Sequence, residues 1–436
     1  MEMQLFEHQK EALELTKNFD HVAYFHEMGL GKTFTGSEKM MSFKNHRNLI
    51  VCQKSKIRDW MEHLSTYYKD VMIINYPEMQ KKLTINDITM YAFVTTVIVI
   101  INYELLWRRT DLYKFAYDSC LMLDESSLIQ NNKAKQTKFI LSLRPRQVVL
   151  LSGTPCSGKY ENLWSQSKLL GFGIGKTEFD NRYVNWELLN VGMKYVRIPN
   201  RKFPYKNVEE LKAEFRKHGA VFLKTEECFD LPNQTFKKVY VDQNRDYKLF
   251  KKNHVLEKTE KTLVGDTTLS LRLGLRELCG IYSKEKLSAF DDLICSTNDR
   301  LVVFYNFNDE LSKLKEIARK HDKPISEVNG KTKDLTAYES EENSITFCQY
   351  QAGAMGLNLQ KANKVIYYTL PEKSDLFEQS KKRIHRIGQD KPCFYYIMLV
   401  DGSIEEMILR TLERREDFTN ELFREYMNPK KKGEYE

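Results

Sequence analysis

The eight cysteines of this 436-residue chain include no C-x-x-C pair. That spacing excludes the common zinc and dithiol motifs and offers no disulfide framework. Cys52, Cys120 and Cys348 sit in apolar stretches and are predicted to be small core residues of a protein kept in a reducing compartment. Long hydrophobic runs are missing too. The longest, Ala92–Ile101, falls short of the roughly 20 residues that span a bilayer and is predicted to be a buried strand. Met1–Gln9 carries acids and no apolar core, so a secretory signal is not expected. There is no internal repeat at a fixed period and no low-complexity tract before the last few residues. What remains is an ordinary globular composition, 42% hydrophobic and 29% charged, long enough for two or three domains.

Charge is not balanced. The net charge is +8. One basic stretch, Lys194, Arg197, Arg201, Lys202 and Lys206, is interleaved with Tyr195, Phe203 and Tyr205; Lys251-Lys252 and Lys430-Lys431-Lys432 form others. A polyanion held through its phosphates would bind such patches without regard to sequence and would be sensitive to salt. A basic run is more often only a solvated face, so the patches alone do not decide the matter.

Three separated segments carry chemistry. The first is His26-Glu27-Met28-Gly29-Leu30-Gly31-Lys32-Thr33. Phosphates need closely approaching backbone N–H groups, which calls for glycine, and then a helix N-terminus. Gly29 and Gly31 supply the approach, Lys32 a charge for the β- and γ-phosphates, and Thr33 a hydroxyl for Mg²⁺. His26 stands where the full phosphate-loop pattern has its first glycine. The flanks fit: Val22–Phe25 is predicted to be a strand and Thr33–Met41 a helix.

The second segment is the apolar strand Cys120–Leu123 followed by Asp124 and Glu125. One carboxylate can hold the metal of a Mg²⁺-nucleotide and the other can orient the attacking water. The third is Gln379 to Gln389. Gln379, Arg383 and Arg386 recur at spacings of four and three, which places them on one face of a predicted helix. A guanidinium inserted against a transferring phosphoryl group accelerates the reaction by roughly 10³–10⁵.

These segments resemble those of the SWI/SNF-type DNA-translocating ATPases of helicase superfamily two. His385-Arg386-Ile387-Gly388-Gln389 resembles that family's HRIGQ box, and Glu27–Thr33 its EMGLGKT. Leu5-Phe6-Glu7-His8-Gln9 is similar to the opening glutamine motif, which implies that Gln9 reads adenine. Leu49–Ser55 with Asp59-Trp60 resembles the lobe-one segment that touches DNA backbone through Lys54. Leu151–Pro155 resembles the LTGTP coupling motif, carried here by Ser152, Gly153 and Thr154. Ala352–Leu359 resembles RAGGLGINL, which implies that Ala352, Gly353, Gly356 and Asn358 sense nucleotide and DNA. Phe222–Thr225 to Leu231-Pro232 resembles the interlobe stretch.

The resemblance covers about residues 5–425 and implies two tandem RecA-like α/β domains. ATP would bind through Gln9, Met28, Gly29, Leu30, Gly31, Lys32, Thr33, Gly356 and Gln379, with Mg²⁺ on Thr33 and Asp124. Lys32, Asp124, Glu125, Arg383 and Arg386 would be catalytic. Double-stranded DNA is the implied partner, with single-stranded DNA second, touched near Lys54, Asn102 and Tyr103 on lobe one. Two departures stand out. Asp124-Glu125-Ser126-Ser127 has serine where the family's DEAH box has its relay histidine, and Phe25-His26 replaces Ala-Asp before the loop. Such replacements are similar to those of compact phage-encoded members.

The coarse pattern alternates strands and helices. Lobe one is expected over residues 1–225 with a helical insertion at about 161–217. A connector is expected over 226–245, and lobe two over 246–436. The closing segment Ile404–Phe423, with Ile404, Met407, Ile408 and Leu412 at helical spacing, is expected to brace the lobes. A monomeric, cytoplasmic, DNA-associated translocase acting in replication, recombination or repair, with a protein partner from one of those processes, is the resulting expectation. No membrane is involved. A strand-separating DNA or RNA helicase, with a hairpin somewhere in Lys176–Pro204 as its wedge, stays open as the alternative. A scaffold with a decayed ATPase, or a nuclease subunit, fits the intact motifs less well.

Overall fold

The computed structural model describes residues 3–79, 82–191, 194–200, 202–258, 262–353 and 357–423. The chain divides into two compact units: the first holds the chain up to Cys228 and the closing helix from Asp417 on, and the second runs from Phe229 to Glu416.

The first unit is built on a seven-stranded, all-parallel sheet. Its strands are β1 (His21–His26), β2 (Arg47–Cys52), β3 (Val71–Asn75), β4 (Thr96–Asn102), β5 (Cys120–Asp124), β6 (Gln147–Leu151) and β9 (Ala220–Leu223). They lie in the order β3-β4-β2-β5-β6-β1-β9. Side chains alternate along each strand, and here both faces are covered. Ala23, Phe25, Leu49, Val51, Val99 and Leu121 pack into one buried cluster. Val22, Tyr24, Ile50, Cys52, Ile100 and Met122 pack into another. This double burial is why the strands read as unbroken apolar runs. Cys52 and Cys120 are core residues, as expected.

The stretch 161–217 is mixed rather than helical throughout. Helices Trp164–Leu169, Lys176–Tyr183 and Val208–Lys217 are present. Between the last two runs an antiparallel hairpin, β7 (Trp186–Val191) and β8 (Lys194–Pro199), forms a separate two-stranded sheet. It lies within Lys176–Pro204, where the sequence left a hairpin open; its strands, Trp-Glu-Leu-Leu-Asn-Val and Lys-Tyr-Val-Arg-Ile-Pro, show no clean period-2 alternation that would have fixed it.

The second unit repeats the architecture. Its sheet comprises β10 (Gln234–Val241), β13 (Leu301–Tyr305), β14 (Ile325–Val328), β15 (Lys333–Asp334), β16 (Ile345–Gln349), β17 (Lys364–Tyr367) and β18 (Cys393–Val400). The order is β10-β18-β17-β13-β16-β14-β15, with only β15 antiparallel. A small hairpin, β11 (Val255–Glu257) with β12 (Thr262–Val264), stands apart from it. Again both faces are buried, Phe304 and Tyr367 on one side and Val303 and Ile366 on the other. Two RecA-like α/β lobes are therefore present. Gln234–Val241, inside the stretch read as connector, is the sheet's edge strand, paired along its whole length with β18. In the closing helix Ile404–Phe423, Ile404, Ile408, Leu409 and Leu412 pack into the second unit's core. Met407 faces outward instead, 54% exposed.

Candidate nucleotide and DNA site

Because the first sheet is parallel, the carboxyl ends of its strands form one edge, the place where open α/β sheets bind ligands. The motif residues gather there. The phosphate loop follows β1, Lys54 follows β2, Asn102 ends β4, Asp124 ends β5 and Ser152 follows β6. Only β6 separates β1 from β5.

Gly29 and Gly31 have φ of 94° and 69°, the left-handed region that side chains rarely adopt. At Gly31 a Cβ would also lie 2.3 Å from the Gln9 amide nitrogen. Gln9 is buried and donates to the Leu30 and Gly31 carbonyls at 3.1 and 3.3 Å, while its Oε1 accepts from the Phe6 N–H at 2.9 Å. The glutamine is thus tied into the loop. Gly31 caps the helix Lys32–Ser42, so its first N–H groups open toward the loop. Lys32 Nζ rests on the His26 and Glu27 carbonyls at 3.0 and 3.3 Å. Glu27 accepts from the Thr225 N–H and hydroxyl at 3.1 and 2.9 Å, which clamps the loop's start.

His26 is fully buried, with both ring nitrogens lacking a hydrogen-bond partner among the described residues. Burial, aided by the nearby Lys32 charge, holds it neutral. Its side chain packs edge-on against Tyr24 at 5.3 Å between ring centres. It is therefore a strand-end core residue rather than a phosphate ligand.

Asp124 Oδ2 accepts from the buried Trp60 indole N–H at 2.8 Å. Enclosure pushes its carboxyl above the usual value, against the pull of Trp60, Lys32 and Lys56. Glu125 follows with φ of 55°, an uncommon conformation for a side-chain-bearing residue, at the start of the turn Ser126–Ile129. Tyr103 is buried and donates to the Asp124 carbonyl at 2.9 Å. Asn102 donates to Glu104 at 2.7 Å. Tyr103 accordingly bears on the acid turn, and Lys54 is the exposed one of these three.

The Ser152–Pro155 segment lies against the loop. A Cβ on Gly153 would sit 3.4 Å from both Lys32 Nζ and the His26 carbonyl. Ser152 Oγ accepts from the Thr154 N–H at 3.2 Å. Sequence reasoning missed Gln166. Its side chain accepts from Ser126 at 2.8 Å and donates to the Pro155 carbonyl at 2.6 Å, joining the acid turn to this segment. Gln130 adds a bond to Pro155 O at 3.1 Å and one to Ser157 at 3.0 Å.

In the second unit the helix expected to carry both arginines stops early. It spans Ser374–Lys381, and Arg383 and Arg386 lie in the turns beyond it, so the shared helical face does not exist. Gly388, at φ of 90°, marks those turns. Arg383 is buried and its carbonyl accepts from Leu359 N–H at 3.0 Å. Arg386 is half-buried and pairs with the Asn358 side chain. His385 lies 2.9 Å from the Pro232 carbonyl, and Gln389 donates to the Gln360, Ala362 and Ile384 carbonyls. These two bind the segment into the lobe. Gln379 belongs to the helix. Gly356 lies outside the described residues, as does the side chain of Ala352; Gly353 ends the short helix Tyr350–Gly353.

The SNF2-related domain family matches residues 8–280, well over half of the chain. This protein belongs to the SNF2-related family. The helicase conserved C-terminal domain follows at 285–388 of this SNF2-related chain. Mouse SWI/SNF-related matrix-associated actin-dependent regulator of chromatin subfamily A member 1 is 22% identical, over 89% of the chain and 40% of that protein. The putative ATP-dependent helicase/translocase YwqA of Bacillus subtilis is 24% identical, over 91% and 46%. The SNF2-related chain thus spans less than half the length of these relatives. Among solved structures, the Sulfolobus solfataricus SWI2/SNF2 ATPase core in complex with dsDNA matches with 20% identity and a TM-score of 0.47, covering 96% of this chain and 93% of that one. No helix among the described residues is long and apolar enough to cross a membrane.

Proposed function

We propose that this SNF2-related chain hydrolyses ATP to move along double-stranded DNA and remodels or displaces proteins bound there. The observation that carries the reading is the meeting of Lys32, Asp124 and Gly153 at the carboxyl edge of one parallel sheet, with Gly153 packed against the loop and the Lys32 charge acting on the Asp124 carboxyl. The residues suit a Mg²⁺-nucleotide. Two glycines in left-handed conformation leave the loop free of side-chain bulk, and a helix N-terminus with a lysine follows. When bound, Mg²⁺ supplies positive charge against the transferring phosphoryl group. Thr33 and Asp124 would hold it, Lys32 would leave its carbonyl partners for the phosphates, and Glu125 would orient the attacking water.

Arg386, with Arg383, is the candidate for neutralising charge that develops on the phosphoryl oxygens. Because Arg386 lies in the second lobe, its action requires the lobes to close, and alternate closing and opening would step the chain along DNA. On this reading Lys54, the Ser152–Thr154 segment and Asn358 grip or sense the duplex. The protein would act in a DNA-associated setting, in replication, recombination or repair, with protein partners drawn from the same process.

Steady-state hydrolysis with duplex DNA, single-stranded DNA, RNA or no polymer tests the reading, beside Lys32→Ala. Stimulation by duplex, abolished in the variant, is expected. Stimulation by single strands or RNA alone would favour strand separation, and no hydrolysis under any condition would end the proposal.

A further inference from the structure

The β7–β8 hairpin has a pinned base and bare outer rungs. At the base, Trp186 Nε1 donates to the Asp180 carbonyl at 3.2 Å. The Arg197 guanidinium lies 4.6 Å over the Trp186 ring and donates to Asn181 at 2.8 Å. Asn200 donates to Glu187 at 2.9 Å. Further out the rungs pair Leu188 with Arg197, Leu189 with Val196 and Asn190 with Tyr195. There Leu188 is 69% exposed, Tyr195 71% and Val196 45%. Alternation puts Leu188 and Tyr195 on one face and Val196 on the other, so neither face of the outer ribbon is covered. A two-stranded hairpin standing alone is marginally stable in water, and bare apolar and aromatic side chains on both faces call for an occupant.

Charge indicates which occupant. Residues 184–206 hold five lysines and arginines against one acid, Glu187. A polyanion suits that rim. An intact duplex, though, presents phosphates and polar base edges in its grooves, which are poor partners for leucine and tyrosine faces. The matching surface is the flat apolar face of an unstacked base, which aromatic side chains bind without sequence preference. Such faces are available where strands part.

The hairpin's base is also bonded to the motor. Val184 bridges to Tyr205. The Tyr205 ring stacks on Tyr160 at 4.4 Å, and its hydroxyl donates to Glu161 at 3.0 Å and reaches the Gly158 carbonyl at 3.5 Å. Gly158 lies three residues beyond Pro155, the end of the coupling segment.

We infer that the β7–β8 hairpin engages branched or forked DNA, stacking Tyr195 and Leu188 on unpaired bases at the junction while Lys194 and Lys202 hold flanking phosphates. This narrows the substrate of the proposed translocase and rests on that reading. The full chain is assayed with a blunt duplex and a fork of equal base-paired length, reading the DNA concentration that half-saturates ATP hydrolysis. In parallel, 2-aminopurine placed at the junction reports base stacking in binding titrations without nucleotide. Wild type should favour the fork by about tenfold, in line with the strength of base–aromatic stacking. Leu188→Ser/Tyr195→Ser should lose that preference and the 2-aminopurine change, with duplex-stimulated hydrolysis unaltered. Both residues are solvent-exposed, so the fold is not at stake. Equal half-saturation by fork and duplex in wild type, or an unchanged preference in the variant, overturns the inference. If no DNA stimulates hydrolysis, the translocase reading falls by itself, and the 2-aminopurine titration still decides the hairpin's role.

Discussion

Ser126 donates its hydroxyl to the side-chain carbonyl of Gln166 at 2.8 Å, and both residues are fully buried. The other end of the Gln166 amide donates to the Pro155 carbonyl at 2.6 Å. One side chain therefore spans from the acid turn to the coupling segment, next to the position where Ser127 replaces the family's relay histidine. Removing Ser126 alone would leave a buried amide oxygen without its donor, at a cost of about 1–3 kcal/mol. Ser126→Ala should lower the denaturation midpoint accordingly. Ser126→Ala/Gln166→Leu, which removes both polar partners, should recover most of the loss while still weakening DNA stimulation of hydrolysis. Full recovery of stimulation in the double variant would show that the bridge serves stability alone.

Trp60 is buried beside the site, and its indole N–H is a direct partner of the Asp124 carboxylate. A hydrogen bond to a charged group is worth about 1.5–3 kcal/mol. Trp60→Phe keeps most of the ring volume and deletes the donor. DNA-stimulated turnover should fall by about tenfold or more, since each 1.36 kcal/mol of barrier is a factor of ten. Thermal stability should change far less than for Trp60→Ala. Turnover equal to wild type would mean that Asp124 is positioned by its strand alone.

Much of this was legible in the sequence. The central strands of both sheets are buried on two faces, so they read as apolar runs, and the loop and acid pair declare themselves by residue type and spacing; the edge strand Gln234–Val241 is mostly exposed and does not. The arginine segment was harder. Gln379, Arg383 and Arg386 have helical spacing, but the helix ends at Lys381, and the turns beyond are closed by Gln389 bonding three carbonyls at once. Such long-range closure leaves no local pattern. Gln166 was invisible for the same reason: its two partners lie 40 and 11 residues away in sequence. The hairpin β7–β8 falls inside Lys176–Pro204, where the sequence offered a hairpin only as an alternative within a stretch read as helical, because its strands carry no clean alternation to fix their bounds. Met407 fits the helical period yet points outward, because Leu409 takes the inward place.

Lys286 and Glu405 form a buried pair, the ammonium bonding both carboxylate oxygens at 2.6 and 2.7 Å. It ties the start of the closing helix to helix Lys284–Cys295 within the second lobe. Breaking one side of such a pair strands a charge, at a cost of about 3–5 kcal/mol. Lys286→Met should therefore unfold the second lobe at markedly lower denaturant, and Lys286→Met/Glu405→Leu should be much closer to wild type. Equal loss in the single and double variants would assign the effect to packing rather than charge.

Glu310 is buried at the start of helix Asn308–Lys320, its Oε2 accepting from the Asn306 and Phe307 N–H groups and from Thr369 at 2.9, 3.1 and 2.9 Å. Burial outweighs these bonds and pushes its carboxyl up to about 7. A carboxyl whose folded value is raised binds its proton more tightly in the folded state. Its contribution is therefore fully present below the unfolded value and fades as pH rises toward the folded one. From about pH 4.5 to about pH 7 the wild type should lose on the order of 3 kcal/mol through this group. Glu310→Gln, which keeps the shape without the charge, should remove that slope. Parallel pH profiles for the two proteins would show that Glu310 titrates normally.

Arg383 and Arg386 can be separated because their surroundings differ. Arg383 is buried, with its backbone carbonyl holding Leu359, whereas Arg386 is half-buried and paired with Asn358. Burial depresses the Arg386 guanidinium, and arginine keeps its charge in proteins. If Arg386 is the group that meets the phosphoryl transition state, Arg386→Ala should cut single-turnover hydrolysis by roughly 10³-fold or more with nucleotide binding retained. Arg386→Lys should not rescue it, since a lysine cannot reproduce the planar fork of donors. Arg383→Ala should lower stability as well as turnover, because it removes a large buried side chain. Loss of turnover in Arg383→Ala at full stability, with Arg386→Ala near wild type, would exchange the two roles.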